Sequence, residues 1–214
     1  MDRSGDIGRV IRGPDCVAEG AEWLAGREPR FARALSRTGP LPLRLRDDGY
    51  SALLSAIVSQ QVSVASARAI WGRLAAAGLT EPQAVAAAEA EALRACGLSR
   101  QKIRYAQALA EAEIDYAALR EAPEEEVVAT LTAVPGIGRW TAEIYAMFSL
   151  GRADVFAPGD LALQESARLL FELPARPTER ALRERAAAWS PWRAVAARLL
   201  WAYFRVEKAR EGVR

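Results

Sequence analysis

Glycine and proline divide this chain into short segments with helical periodicity, and this division constrains the fold more than any other feature. From Tyr50 onward, one amphipathic segment follows another. Alanine occupies 45 of the 214 positions, and runs such as VAAAEAEALRA at 85–95 favour helix. The strand-like stretches, LPLRLR at 41–46 and ADVFA at 153–157, are too short to found a sheet. We therefore predict an all-α fold, with helices at 15–25, 28–37, 50–59, 63–77, 81–95, 100–113, 123–133, 139–149, 160–172, 178–188 and 191–207.

The chain contains no histidine and two cysteines. Without histidine, Ser-His-Asp and Cys-His mechanisms and histidine-rich metal sites are excluded. Cys16 and Cys96 are too few for a four-thiolate zinc or iron–sulfur site. Any chemistry must therefore come from carboxylates, lysine, hydroxyls, aromatic rings or backbone groups. Two isolated cysteines, no apolar run of membrane-spanning length and no apolar signal core predict a cytoplasmic protein without a membrane anchor.

Charge is distributed less evenly than the net value of +2 indicates. Residues 111–135 contain seven acidic side chains and one basic side chain, whereas the flanking regions are net basic. The near-neutral total therefore does not argue against a polyanionic partner. Lysine occurs only at Lys102 and Lys208, so arginine dominates the basic residues. That excess fits either a compositional bias or a preference for the better phosphate ligand.

Two helical patterns meet at Pro135-Gly136-Ile137-Gly138, within LTAVPGIGRWTAEIYAMFSL (131–150). Glycines one residue apart let the backbone approach another molecule closely. The amides at the start of the following helix lack intrahelical partners, and the helix dipole favours an anion there. The segment therefore predicts either a tight turn between helices or a site for a backbone phosphate.

The string VPGIGRW resembles the hairpin of the helix-hairpin-helix DNA glycosylase superfamily, which implies that motif at 124–149. Asp160 stands where the superfamily keeps its catalytic aspartate. AWSPWRAVAARLLW (188–201) resembles the C-terminal helix of the 3-methyladenine DNA glycosylase II branch, and IVSQQVSVASARA (57–69) resembles the junction that this branch inserts into DNA. The resemblance covers about residues 50–207.

The resemblance implies two helical lobes with a cleft between them that binds DNA and the base. Residues 1–49 with about 151–214 should form a terminal lobe, and about 50–150 a central lobe. The segment before Tyr50 is too short for the sizeable N-terminal β-domain of some relatives, so we expect none.

Asp160 is the candidate catalytic residue. An aspartate after Pro-Gly and before an amphipathic segment is most often a helix cap, and a capping position also fixes a carboxylate firmly. Such a carboxylate can stabilise the cationic sugar that forms when a glycosidic bond breaks. We expect Asp154 to have a structural role instead. The resemblance further implies a base pocket lined by Trp140 and Trp201. Tyr145 is the third pocket candidate, and it stands one position beyond the site where members of this branch often have a tyrosine and this chain has Ile144.

The resemblance also assigns DNA contacts and a cation site. Gln61 matches the wedge that fills the gap left by a flipped base. The predicted DNA contacts are Gln60, Gln61, Ser63, Arg100, Lys102, Gly136, Ile137, Gly138 and Arg139. The carbonyls of Thr132, Val134 and Ile137 match those that hold Na⁺ or K⁺ in this superfamily. No cofactor is expected to be required.

Position 140 bears on the reaction type. Lyase-competent members keep a lysine there as the Schiff-base nucleophile, whereas this chain has Trp140. The resemblance therefore implies a monofunctional glycosylase that removes 3-methyladenine, 7-methylguanine and similar bases from duplex DNA, acting as a monomer at the bacterial nucleoid. Two alternatives stay open: a glycosylase of the same fold for uracil, hypoxanthine or 8-oxoguanine, and a non-catalytic DNA-binding module.

Overall fold

The computed structural model describes residues 7–211 and is helical throughout. The helices are α1 Pro14–Arg27, α2 Pro29–Thr38, α3 Tyr50–Ser59, α4 Val64–Ala76, α5 Pro82–Ala87, α6 Ala90–Ala95, α7 Arg100–Glu111, α8 Tyr116–Glu121, α9 Glu124–Thr132, α10 Arg139–Phe148, α11 Leu161–Leu170, α12 Glu179–Ala186 and α13 Arg193–Glu211, with a 3₁₀ turn at Ala187–Trp189. Within residues 7–211, β-pairing is limited to one isolated bridge between Val10 and Arg152. The all-α prediction is confirmed.

The chain divides into two compact units. The first unit comprises residues 46–145, and the second comprises residues 7–45 with 146–211. The boundary within α10 lies between Tyr145 and Ala146. Within residues 7–211, no helix combines the length and the apolar character needed to cross a bilayer.

The core of the first unit forms around α7. Helices α3 and α5 pack against α7. The stripe that α7 buries comprises Lys102, Ile103, Ala106 and Leu109, which recur at the helical spacing of one face. Helix α7 is therefore central to the core of the first unit, and Lys102 is the first residue of its buried face.

Aromatic rings form the core of the second unit. The Trp189 ring lies 5.3 Å from the rings of Phe31 and Phe156 and stacks on Phe171 at 5.9 Å. Helix α13 packs against α2 and α11. Edge-to-face and stacked contacts of this kind add to the hydrophobic gain of burial.

The predicted helix at 81–95 is two helices in the structure. The break lies at Ala88-Glu89, where both residues are extended. The Ala88 carbonyl accepts a hydrogen bond of 3.1 Å from the side chain of Gln107, and Val85 and Leu93 on either side of the break are both fully buried. Tertiary contacts therefore override the helix preference of the alanine run.

Helix α8 was not among the predicted helices. Its N-cap is Asp115, whose carboxylate accepts a hydrogen bond of 2.9 Å from the Ala118 amide. The cap residue is the sequence signal for this helix, because an aspartate at the N-cap satisfies an otherwise unpartnered amide.

Candidate functional site

The hairpin of the first unit occupies residues 133–138, between α9 and α10. The Val134 carbonyl accepts a hydrogen bond of 3.1 Å from the Ile137 amide, which closes the turn. The Gly138 carbonyl accepts one of 3.1 Å from the Ala142 amide, which begins α10. The first amides of a helix lack intrahelical partners, so the start of α10 is suited to an anion.

The two hairpin glycines have different roles. Gly136 has φ +91°, and a Cβ there would lie 2.3 Å from the Tyr105 ring, so the fold itself requires glycine. Gly138 lies outside the left-handed region, and a Cβ there would meet no atom within 4 Å. The fold does not require glycine at 138, and its absent side chain leaves the hairpin backbone open to another molecule.

The junction between α3 and α4 is joined to this hairpin. The Gln60 side chain donates a hydrogen bond of 2.9 Å to the Gly136 carbonyl. Gln61 follows with φ +55°, an uncommon conformation for a residue with a side chain. The Ser63 hydroxyl caps α4 by accepting a hydrogen bond of 3.1 Å from the Ser66 amide.

Two valines of this junction are exposed and were not among the predicted site residues. Val64 is 79% exposed, and Val62 beside the wedge position is exposed as well. The sequence could have indicated these two valines, because aliphatic side chains stand out in an otherwise polar turn.

A groove of about 560 Å³ in the first unit lies among the junction, the start of α7 and the hairpin. Six predicted DNA contacts line it, namely Gln60, Gln61, Lys102, Gly136, Ile137 and Gly138. Ser99, Gln101 and Tyr105 line the same groove and were not predicted. The structure therefore brings residues from three separate stretches of sequence to one surface. Arg100 is exposed in the first turn of α7 and is not among the lining residues.

Lys102, one of the predicted DNA contacts, is a largely buried residue. The residue is only 9% exposed, and its ammonium donates a hydrogen bond of 2.7 Å to the Val58 carbonyl. Burial lowers the pKa of Lys102. Its ammonium thus caps the C-terminal end of α3, the helix that leads into the junction, and any contact with phosphate stays a prediction.

Arg139 keeps a half-exposed side chain at the start of α10. Its guanidinium forms an ion pair of 3.0 Å with the buried carboxylate of Glu143, one turn further along the helix. This pair fixes the direction of the arginine beside the hairpin.

The predicted pocket residues Trp140 and Tyr145 differ in their surroundings. Trp140 is 47% exposed, which leaves its indole accessible in the first unit. Tyr145 is buried, and its hydroxyl accepts a hydrogen bond of 2.8 Å from the Gly49 amide at the start of α3. Burial raises the pKa of Tyr145 to about 12. Tyr145 is thus an anchor of α3, and contact of either ring with a flipped base stays a prediction.

The carbonyls predicted to hold a cation belong to the end of α9 and the hairpin. Thr132 is the last residue of α9, where carbonyls lack intrahelical partners and the helix dipole favours a cation. Among the described residues, no group of three or more acidic or cysteine side chains could hold a metal ion. The carbonyls of Thr132, Val134 and Ile137 stay the predicted ligands of a cation.

Asp160 is the N-cap of α11 in the second unit. Its Oδ1 accepts three hydrogen bonds, from the Ala162 amide at 2.9 Å, the Leu163 amide at 3.0 Å and the Trp201 indole at 3.2 Å. The preceding turn is held as well, because the Gln164 side chain donates a hydrogen bond of 2.8 Å to the Pro158 carbonyl. The cap therefore fixes a carboxylate beside an aromatic ring, and the structure brings Asp160 and Trp201 together.

Asp154 is held by structural contacts. Its carboxylate accepts hydrogen bonds from Arg193 at 2.8 and 3.1 Å and from the Ser190 hydroxyl at 2.7 Å. These contacts connect residue 154 to the start of α13, as expected for a support rather than a reacting group.

The chain resembles known repair proteins over most of its length. Residues 54–192 match the HhH-GPD superfamily base excision DNA repair protein family. DNA-3-methyladenine glycosylase 1 of Schizosaccharomyces pombe is 32% identical over 83% of each chain.

Two solved structures extend the resemblance to the fold. The crystal structure of a DNA-3-methyladenine glycosidase from Bacillus halodurans has a TM-score of 0.80 at 31% identity and 94% coverage of both chains. The S. pombe 3-methyladenine DNA glycosylase in complex with abasic DNA has a TM-score of 0.73 at 31% identity, covering 86% of this chain and 95% of the other. This chain therefore belongs to the HhH-GPD superfamily of base excision DNA repair proteins.

Proposed function

We propose that this chain is a DNA glycosylase that hydrolyses the N-glycosidic bond of alkylated bases, such as 3-methyladenine and 7-methylguanine, in duplex DNA. The observation that carries the proposal is the carboxylate of Asp160, held by two backbone amides and the Trp201 indole. The relatives named 3-methyladenine glycosylases support the choice of alkylated bases.

The reaction breaks the bond between the sugar C1′ and the base nitrogen. The bonding electrons leave with the base, and the sugar becomes an oxocarbenium-like cation. The fixed carboxylate of Asp160 stabilises this cation electrostatically. Water then adds to C1′ and loses a proton, which leaves an abasic site. Because an alkylated purine already carries positive charge, it departs without a strong general acid, in keeping with a chain that lacks histidine.

The aromatic ring beside Asp160 suits a cationic base. A cation over an indole face gains about 0.5–2 kcal/mol, depending on how far it is desolvated. Trp201 is half-buried and directs its N–H toward the carboxylate. The same residue can therefore orient the catalytic group and contact the substrate.

We propose that the first unit holds the DNA. Extruding a base costs a few kcal/mol of stacking and pairing. The amides after Gly138 would bind a backbone phosphate, and Gln61 would enter the duplex in place of the flipped base. A Na⁺ or K⁺ on the carbonyls of Thr132, Val134 and Ile137 would add a bridge to phosphate. One copy of the chain would carry out the whole reaction.

We propose that the enzyme has no lyase activity. Trp140 occupies the position of the lyase nucleophile, and the Lys102 amine is buried against the Val58 carbonyl. Sodium borohydride should therefore trap no covalent complex with damaged or abasic DNA, and the product should need heat or alkali for strand cleavage. A complex trapped through a lysine would contradict this proposal.

The function is tested by measuring bases released from methylated duplex DNA by the wild type, Asp160→Asn and Asp115→Asn. Both aspartates are helix caps, and asparagine is an equally good cap, so both variants should fold. Asp160→Asn should lower release at least about 100-fold. Asp115→Asn, at the N-cap of α8, should release bases at the wild-type rate.

The other outcomes separate the alternatives. An Asp160→Asn protein as fast as wild type would exclude the catalytic assignment. Release from uracil, hypoxanthine or 8-oxoguanine duplexes but not from methylated DNA would indicate another lesion. Binding of all duplexes without any release would indicate a non-catalytic DNA-binding module.

A further inference from the structure

Arg198 is a buried cation in the middle of α13, in the second unit. The residue is 1% exposed. Its Nε and Nη2 donate hydrogen bonds of 3.2 and 3.1 Å to the Leu43 carbonyl, and its Nη1 donates one of 2.8 Å to the Ala194 carbonyl. Among the side chains that the structure describes, no carboxylate forms an ion pair with it, and none is among the groups that shift its pKa. Burial, with a smaller contribution from Arg44, lowers the pKa of Arg198 to about 10, so the guanidinium is still charged at neutral pH.

A buried charge without a counter-charge is costly for a fold. Apolar residues of similar volume often replace buried charges with no loss of stability. The carbonyl hydrogen bonds offset only part of the desolvation. Packing alone therefore does not explain an arginine at this position. The residues that the guanidinium contacts indicate its role.

A chain of contacts leads from Arg198 to Asp160 within the second unit. The guanidinium carbon lies 4.7 Å from the centroid of the Phe148 ring. The Phe148 ring lies 5.8 Å from the Trp201 ring, with 32° between their planes. The Trp201 indole nitrogen lies 3.2 Å from Asp160 Oδ1.

The backbone next to Trp201 is fixed separately. The buried hydroxyl of Ser166, on α11, donates a hydrogen bond of 2.7 Å to the Leu200 carbonyl on α13. Because the backbone is fixed there, Trp201 can move only by rotation of its side chain. The Phe148 ring restricts that rotation, and the guanidinium against Phe148 restricts the ring in turn.

We propose that Arg198 is a positioning residue that holds Phe148, and through it the Trp201 indole, where the indole N–H reaches Asp160. The inference rests on the proposed function of Asp160. Arg198 touches neither substrate nor the reacting atoms. Its effect should appear in the cleavage step rather than in DNA affinity, because Arg198 contacts Phe148, Phe148 contacts the Trp201 ring, and neither Arg198 nor Phe148 is a predicted DNA contact.

The first test compares single-turnover base release by the wild type, Arg198→Met, Arg198→Lys and Arg205→Met. Arg205 is an exposed arginine on the same helix and serves as the matched control. Arg198→Met should lower the rate constant about tenfold, the scale of one lost hydrogen bond to a charged group, with an unchanged Kd for DNA. Arg198→Lys should recover part of the rate, because an ammonium can still donate to the Leu43 carbonyl and face Phe148. A wild-type rate, or equal losses in Arg198→Lys and Arg198→Met, would overturn the proposal.

A double-mutant cycle separates positioning from general stability. Trp201→Phe removes the indole donor. If Arg198 acts through Trp201, Arg198→Met should cost no further rate in the Trp201→Phe background. Additive losses would overturn the proposal, because they would show that Arg198 affects the rate by another route.

A readout in the free protein keeps the inference separate from the proposed function. The NMR signal of the Trp201 indole N–H, assigned from Trp201→Phe, should shift in Arg198→Met and not in Arg205→Met. An unshifted signal overturns the inference whether or not the wild type releases bases, whereas a wild type without base release overturns only the proposed function. If Arg198→Met fails to fold, Phe148→Leu must reproduce the shift and the rate loss, and a wild-type result there overturns the inference.

Discussion

The side-chain amide of Gln60 donates a hydrogen bond of 2.9 Å to the backbone carbonyl of Gly136. The bond joins the junction between α3 and α4 to the hairpin, 76 residues away along the chain. The two stretches predicted to insert into DNA and to bind its phosphates are thus connected directly. A displacement of the junction should therefore shift the hairpin, and a displacement of the hairpin should shift the junction.

Replacing Gln60 by Met should weaken DNA binding, because Met has a similar length and no donor. One uncharged hydrogen bond contributes about 1 kcal/mol, which corresponds to about a fivefold rise in Kd. Fluorescence anisotropy with a duplex that contains an abasic site measures the effect. The matched control is Gln107→Met, which removes a similar bond to the Ala88 carbonyl. Both variants should lose similar stability, and equal Kd values for the two would contradict a special role for the Gln60 bond.

The hairpin glycines should respond in opposite ways to alanine. Gly136→Ala should lower the free energy of unfolding by about 2–4 kcal/mol, because it combines a left-handed backbone with a clash against Tyr105. Gly138→Ala should leave stability unchanged and weaken DNA binding about tenfold, because the methyl group would lie where the phosphate approaches. Thermal unfolding and anisotropy measure the two effects. A Gly138→Ala protein with wild-type affinity would show that the phosphate does not approach this backbone.

Gln61→Gly should separate stability from base flipping. The left-handed backbone at Gln61 costs about 1 kcal/mol for a residue with a side chain, so glycine should keep or raise the melting temperature. Base release from fully paired duplexes should fall, since nothing fills the gap. Release should fall less when the lesion stands in a mismatch, where flipping costs less. Equal losses on both substrates would argue against a wedge at this position.

Tyr145→Phe should change the response of stability to alkaline pH. The pKa of Tyr145 is about 12 in the folded protein, against 10.0 for an unperturbed tyrosine, so the folded state retains the proton as pH rises through that window. Between pH 10 and 12, the wild type should therefore lose about 1.4 kcal/mol of its free energy of unfolding for each pH unit through this group.

At pH 8 the phenylalanine variant should be less stable by about 1 kcal/mol, the contribution of the bond to the Gly49 amide. At pH 11 the difference should vanish. Urea unfolding at both pH values measures it, and a constant difference would contradict the effect of burial on Tyr145.

The all-α class followed from the sequence because breakers and helical periodicity are local signals. The division of the 81–95 segment at Ala88 was not predictable, since it depends on Gln107 of α7. Asp115 could have marked α8, although six residues give little periodicity to recognise. Local signals thus determine the class, and contacts between distant residues determine where several helices end.

The candidate site also contains residues that local sequence signals predict and residues that depend on contacts between distant parts of the chain. The N-cap position of Asp160 was predictable, because an aspartate follows Pro-Gly and precedes an amphipathic segment, and its catalytic role stays a prediction. The burial of Lys102 could have been predicted from its helical spacing with Ala106 and Leu109. We predicted a DNA contact there because the residue is positively charged. The contacts that lead from Arg198 to Asp160 pass through the rings of Phe148 and Trp201. Helical periodicity does not predict which distant rings contact each other, so the sequence could not show this chain of contacts.

The capping hydrogen bonds of Asp160 also make this protein a candidate reagent. Asparagine retains the acceptor oxygen for the amides of Ala162 and Leu163, so the variant should lose the charge and keep the start of α11. If Asp160 has the proposed catalytic role, such a protein would bind a lesion and not remove it. Labelled with a fluorophore, it would report where alkylation damage persists in a genome.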